Sequence, residues 1–205
     1  MEILKYQTGP LSVNTYLVVD EPTKKAFLVD PGGQNSVIVN HMKEQGIHLE
    51  YLILTHAHGD HIGGLAYFQQ ETGAKIVVHK DDQPMLEDSK LNFSASIQRT
   101  PISHQADLLV TDGDHLQIGN MDLRFLHTPG HTRGGMCIYV HDALFSGDTL
   151  FASSIGRTDF PGSSDEQIRD SIHQKLFSLP GETVVYPGHM GSTTIGFEKE
   201  NNPFV

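Results

Sequence analysis

Apolar positions near the N-terminus come in short alternating or clustered runs, the signature of strands rather than helices. Glu2 to Thr8 and Val13 to Val19 form the first two runs, Glu21-Pro22-Thr23-Lys24 is a turn, and Ala26-Phe27-Leu28-Val29 completes a meander that ends in Asp30-Pro31-Gly32-Gly33. The period then changes. Val37, Ile38 and Met42 carry helical spacing from Asn35 to Gln45, and Gly46 closes the helix. A buried strand is predicted over Tyr51–Leu54, a helix from Leu65 to about Glu71 ending at Gly73, a strand over Ala74–Val78 and a short helix near Asp81–Asp88. Ser89 to Asp107 is polar and aperiodic, a surface excursion able to border a cleft.

From Leu108 the pattern is β again. A hairpin turns at Gly119-Asn120, a strand over Gly135–Val140 runs through His141-Asp142 into Ala143–Thr149, and Gly156–Ser164 forms a loop. Ile168, Ile172, Leu176 and Phe177 place a helix over Asp165–Phe177. Thr183–Tyr186 is the last strand, and a short helix around Ile195–Glu200 follows it. No repeat or linker interrupts the 205 residues, so one large layered domain, 1–205, is expected.

Charge narrows the partners. The net charge is −11 at pH 7, which opposes binding to phosphate backbones, so no nucleic-acid partner is expected. No basic leader or long apolar segment is present, and a cytoplasmic protein without a membrane partner is the expectation. The single Cys137 lies in an apolar strand and reads as a small buried hydrophobe.

The chemistry concentrates in Thr55-His56-Ala57-His58-Gly59-Asp60-His61, where a strand hands over to a helix. Spacing of two sets His56 and His58 on one side of an extended segment, while Asp60 and His61 fall where the chain turns. Two adjacent ligand sets point to two ions. His131, Asp148 and His189 each stand where a strand gives out into a glycine-containing loop. Together the seven supply five imidazoles and two carboxylates without a thiolate, a donor set suited to zinc, and also to iron or manganese. His79, His104, His115, His127 and His173 read as structural or surface residues. Asp30 has two readings, a turn residue or an acceptor supporting the metal loop.

These motifs, with Pro129-Gly130-His131-Thr132, Ser146-Gly147-Asp148-Thr149-Leu150-Phe151, Gly156-Arg157-Thr158-Asp159-Phe160 and Tyr186-Pro187-Gly188-His189, resemble the metallo-β-lactamase-fold hydrolases. Within them the chain is similar to the short bacterial branch of the glyoxalase II (hydroxyacylglutathione hydrolase) group. The resemblance implies a four-layer αββα sandwich with the site at one edge of two packed sheets. It assigns His56, His58 and His131 to a first metal and Asp60, His61 and His189 to a second, with Asp148 bridging. Aspartate at 148, where the antibiotic-hydrolysing branch uses Cys, argues against that branch, and His58 argues against the flavodiiron oxidoreductases. The C-terminal helical domain that supplies glutathione contacts in full-length glyoxalase II is not expected in a chain ending at Val205.

The implied reaction is hydrolysis of an acyl thioester such as S-lactoylglutathione by a metal-bound hydroxide, with Asp60 also handling the proton. Arg157 is a candidate anchor for a substrate carboxylate or, alternatively, a salt-bridge partner of Asp159. The main competing reading is a persulfide dioxygenase with a single iron. A non-enzymatic metal-binding module and a nuclease are weaker alternatives.

Overall fold

The computed structural model describes residues 1–205. Three antiparallel-linked strands, β1 (Glu2–Thr8), β2 (Val13–Asp20) and β3 (Lys25–Val29), open a six-stranded sheet. Helix α1 (Ser36–Gln45) returns the chain to β4 (His48–Ile53), parallel to β3. Asn35 caps α1 by accepting from the amides of Val37 and Ile38, and Gly46 ends it at φ +65°. A short helix α2 (Gly59–Ile62) and then α3 (Leu65–Thr72) lead to β5 (Lys75–His79). After α4 (Gln83–Glu87) and α5 (Ser94–Ile97), β6 (Leu108–Val110) completes the sheet; β3, β4, β5 and β6 all run parallel.

The second half builds its own sheet. Its strands are β7 (His115–Ile118), β8 (Met121–His127), β9 (Met136–Val140), β10 (Ala143–Gly147), β13 (Val184–Pro187) and β14 (Thr193–Thr194), with a small hairpin β11 (Leu150–Phe151) and β12 (Ser154–Ile155) beside it. Strands β8, β10 and β13 point the same way, because β9 is antiparallel to both neighbours and β10 pairs β13 in parallel. Helix α6 (Asp165–Ser171) continues through a widened turn, Ile172–Leu176, and α7 (Ile195–Asn201) ends the fold.

Period-two alternation assigns the layers. In β2, buried throughout, Tyr16 and Val18 face the other sheet while Leu17 and Val19 face α1 and α3. In the second sheet Met136, Ile138 and Val140 point inward, and Cys137 and Leu144 point to α6 and α7. Between the sheets, Phe145 meets Phe27 edge-on at 6.1 Å and Tyr16 at 5.3 Å. The result is the expected αββα sandwich, one unit accounting for all 205 residues.

Three details differ from the sequence reading. Strand β4 starts earlier, at His48, because its first residues pair with Lys25 and Ala26. The loop after it contains α2, so Asp60 and His61 ride on a helical turn. Strands β11, β12 and β14, two residues each, are too short for any periodicity to betray.

Candidate metal centre

Parallel strands present their carboxyl ends at one edge, and irregular loops at such an edge can aim several side chains at one point. Asp30 leaves β3, the His56 loop leaves β4, His131 follows β8, Asp148 follows β10 and His189 follows β13. Seven side chains predicted as a site therefore converge. Ligand atoms lie within 4.8 Å of one another in three overlapping groups: His56, His58 and His131; His56, His61 and Asp148; Asp60, His61 and His189. Asp148 faces both sides. Its Oδ1 is 3.5 Å from His61 Nε2, and its Oδ2 is 3.7 Å from both His131 Nε2 and His189 Nε2. Asp60 Oδ2 is 3.3 Å from His189 Nε2.

Three of the imidazoles are aimed by what their other nitrogen touches. His131 Nδ1 donates to the Arg157 carbonyl at 2.8 Å, leaving Nε2 facing the cluster. His61 Nδ1 donates to Asp30 at 3.0 Å. The Thr55 hydroxyl gives its one hydrogen to Asp30 at 2.6 Å, so its oxygen accepts from His56 Nδ1 at 3.2 Å. Asp30 thus supports the loop, the sharper of its two readings.

A carboxylate that the sequence reading passed over does comparable work. Asp82 is fully buried and accepts from the Ala57 amide at 3.1 Å, the Thr132 hydroxyl at 2.9 Å and the Gly134 amide at 2.6 Å. It ties the backbone between His56 and His58 to the loop bearing His131. Burial pushes its carboxyl above the usual range, against those hydrogen bonds.

The two sides differ electrically. Burial, followed by the neighbouring imidazoles, lowers His56 well below its ordinary value, and burial followed by His131 lowers His58 to about 3. Burial also works against charge on His61, but Asp60, Asp148 and Asp30 override it and raise that imidazole to about 10. For Asp60, burial favours the neutral acid, yet His61 and the hydrogen bond from His189 hold it well below the carboxylate range.

These residues fit a metal. His56 Nε2, His61 Nε2 and Asp148 Oδ1 are buried without a hydrogen-bond partner, and unpartnered buried polar atoms are costly unless something engages them. A side chain at 188 would be incompatible with the cluster: a Cβ on Gly188 would stand 2.4 Å from Asp148 Oδ1. By contrast, His79 and His127 stack in parallel at 3.9 Å away from the site, with His127 Nε2 donating to the Arg133 carbonyl, as residues predicted to be structural.

Above the cluster opens a cavity of about 680 Å³, with His58, Asp60, His131, Asp148 and His189 in its wall. Arg157 lines it too, but its guanidinium pairs bidentately with Asp159 at 2.9 and 2.8 Å and lies 4.5 Å over the Phe160 ring.

The profile of the metallo-beta-lactamase superfamily matches residues 8–189. The chain belongs to that superfamily. Among superfamily members it is similar to the "Probable metallo-hydrolase YqgX" of Bacillus subtilis, 36% identical with 100% of this chain and 98% of the relative aligned. It is 34% identical to "Hydroxyacylglutathione hydrolase GloC" of Haemophilus influenzae, over 94% and 92% of the two chains. Solved superfamily structures agree. BLEG-1 B3 metallo-beta-lactamase superposes with a TM-score of 0.92 at 36% identity over 99% of each chain. ETHE1 from Myxococcus xanthus gives 0.80 at 30% over 99% and 84%. TTHA1623 in a di-iron-bound form gives 0.84 at 33% over 98% and 100%. The superfamily fold makes the chain a metallo-hydrolase by kinship, and no helix is long and apolar enough to cross a membrane.

Proposed function

We propose that this chain is a cytoplasmic, metal-dependent thioesterase that hydrolyses an acyl thioester of the S-lactoylglutathione kind. The observation that carries the reading is Asp148, whose carboxylate lies between the two histidine sets, within 3.7 Å of His131 on one side and of His61 and His189 on the other. His56, His58 and His131 would hold one divalent cation, and Asp60, His61 and His189 a second, with Asp148 shared. Zinc suits this nitrogen and oxygen donor set, and the di-iron form of TTHA1623 makes iron a candidate. Such ions supply Lewis acidity, making water a stronger acid and polarising a carbonyl.

The protein's own groups supply the rest. Asp30 and Thr55 fix the His56 and His61 rings, so the cluster is preorganised before substrate arrives. Asp60, at the cavity wall, is the residue this reading assigns to handling the proton that water loses. Hydrolysis forms a C–O bond and breaks the C–S bond. The thiolate leaves unaided because its conjugate acid has a pKa near about 8.5, and no strong general acid is required.

The second reading is a persulfide dioxygenase with one iron, which the Gly156-Arg157-Thr158-Asp159-Phe160 segment also resembles. The completeness of the Asp60, His61 and His189 group favours two ions and hydrolysis. Metal analysis of the purified protein, thiol release from S-lactoylglutathione and oxygen uptake with glutathione persulfide separate the two. Two metal equivalents with thiol release are expected; a single iron with oxygen consumption would replace the thioesterase. The BLEG-1 likeness puts a chromogenic β-lactam in the same panel, where its dominant turnover would displace thioesters.

A further inference from the structure

Resting on the thioesterase reading, we infer that the cavity selects a thioester by an uncharged hydrocarbon substituent rather than by the charged arms of glutathione. Glutathione carries two carboxylates and an ammonium. The one cationic side chain lining the cavity is Arg157, and the Nε–Nη2 edge of its guanidinium is taken by Asp159 while its face covers Phe160. Apart from Ser154, the remaining wall is apolar, with Leu11, Phe93, Ile97, Ile155, Phe160 and Met190 among its residues. Pockets that bind by burial are built this way, with a few polar groups fixing orientation.

Two of these wall residues are held there against backbone preference. Phe93 and Met190 have φ of +59° and +68°, a left-handed conformation that large side chains rarely adopt and that persists only where surroundings enforce it. Buried asparagines do the enforcing. Asn92 donates to the carbonyls of Met85 and Ile102 and accepts from the Ser94 amide, bracketing Phe93. Asn14 donates to the carbonyls of Pro187 and Met190. The Phe93 ring then lies 5.8 Å from His58 and 5.5 Å from Phe160, and Phe160 stands 5.2 Å from His58. Leu11 and Met190, 53% and 58% exposed, are left to water at the rim. An apolar substituent entering the cavity covers them.

The test uses the purified, metal-loaded enzyme. One series carries acetyl, butyryl, hexanoyl and phenylacetyl groups on N-acetylcysteamine, a small neutral thiol. A second carries acetyl on N-acetylcysteamine and on benzyl mercaptan. S-lactoylglutathione is the charged comparison. Each buried methylene is worth about fourfold, so kcat/KM is expected to climb at least tenfold along one series and to exceed that for S-lactoylglutathione. The series that climbs tells whether the acyl or the thiol side fills the cavity. Phe93→Gly and Met190→Gly suit the left-handed backbone and are expected to flatten the climb; Phe93→Leu is expected to keep it. Flat series in the parent enzyme, or S-lactoylglutathione as the best substrate, overturns the inference and leaves the thioesterase standing. Failure to hydrolyse any thioester overturns both.

Discussion

The two sides of the centre are made of different material. His56, His58 and His131 form an all-imidazole set, at most 6% exposed, in which burial keeps His56 and His58 uncharged. Asp60, His61 and His189 form a mixed set in which carboxylates hold a proton on His61 and the His189 side chain is 26% exposed. One set holds His56 and His58 uncharged; the other must first release a hydrogen ion from His61. Their supports differ as well. Asp82 holds the backbone of the first set's loops, whereas Asp30 touches the His61 ring itself and reaches His56 through Thr55.

The largest effect is expected where the sets meet. Asp148→Ala should abolish turnover and lower the metal content of the purified protein towards one ion or none; a fully active variant with two metals would break the comparison at its centre. Next come the supports. Asp82→Ala should weaken metal binding at the first set, and Asp30→Ala at the second, each by about ten- to a hundredfold, the usual cost of losing a group that orients a ligand. Metal titrations of both variants check this, and indistinguishable isotherms would show that the supports are not divided.

The smallest effect is the most specific. Above pH 6.5 and below about 10, metal-free protein carries neutral His58 and cationic His61. Loading both ions at pH 8 should therefore release about one proton, measured by calorimetry in buffers of different ionisation enthalpy. The same shifts set the pH profile of the metal-free fold. His61, raised, gives stability that is whole below 6.5 and fades as pH rises through about 10; His58, lowered, removes stability as pH falls from 6.5 towards about 3. The metal-free melting temperature should peak near pH 6.5, and a profile flat across that range would contradict the assigned charges.

The seven converging residues were legible because each sits in a strand-to-loop exit rich in glycine, and four of them fall within six positions. The αββα layering was legible through period two: alternating residues of β2 feed two different cores. Asp82 was not, since in Lys80-Asp81-Asp82 it reads as an acidic helix start, and its partners are as far off as Gly134, 52 positions along the chain. Phe93 was hidden for a related reason. Its role comes from a left-handed backbone inside a polar, aperiodic stretch, and neither hydropathy nor spacing encodes that.

One consequence follows from where the ligands originate. His56, His58, Asp60 and His61 hang from the first sheet, and His131, Asp148 and His189 from the second. A cation gripped by both is a rivet through the seam of the sandwich. On the proposed ligand sets, a newly made chain could close the first rivet once His131 and Asp148 are in place, whereas the second must wait for His189, and chelation would unfasten the two halves at the edge where the chemistry takes place.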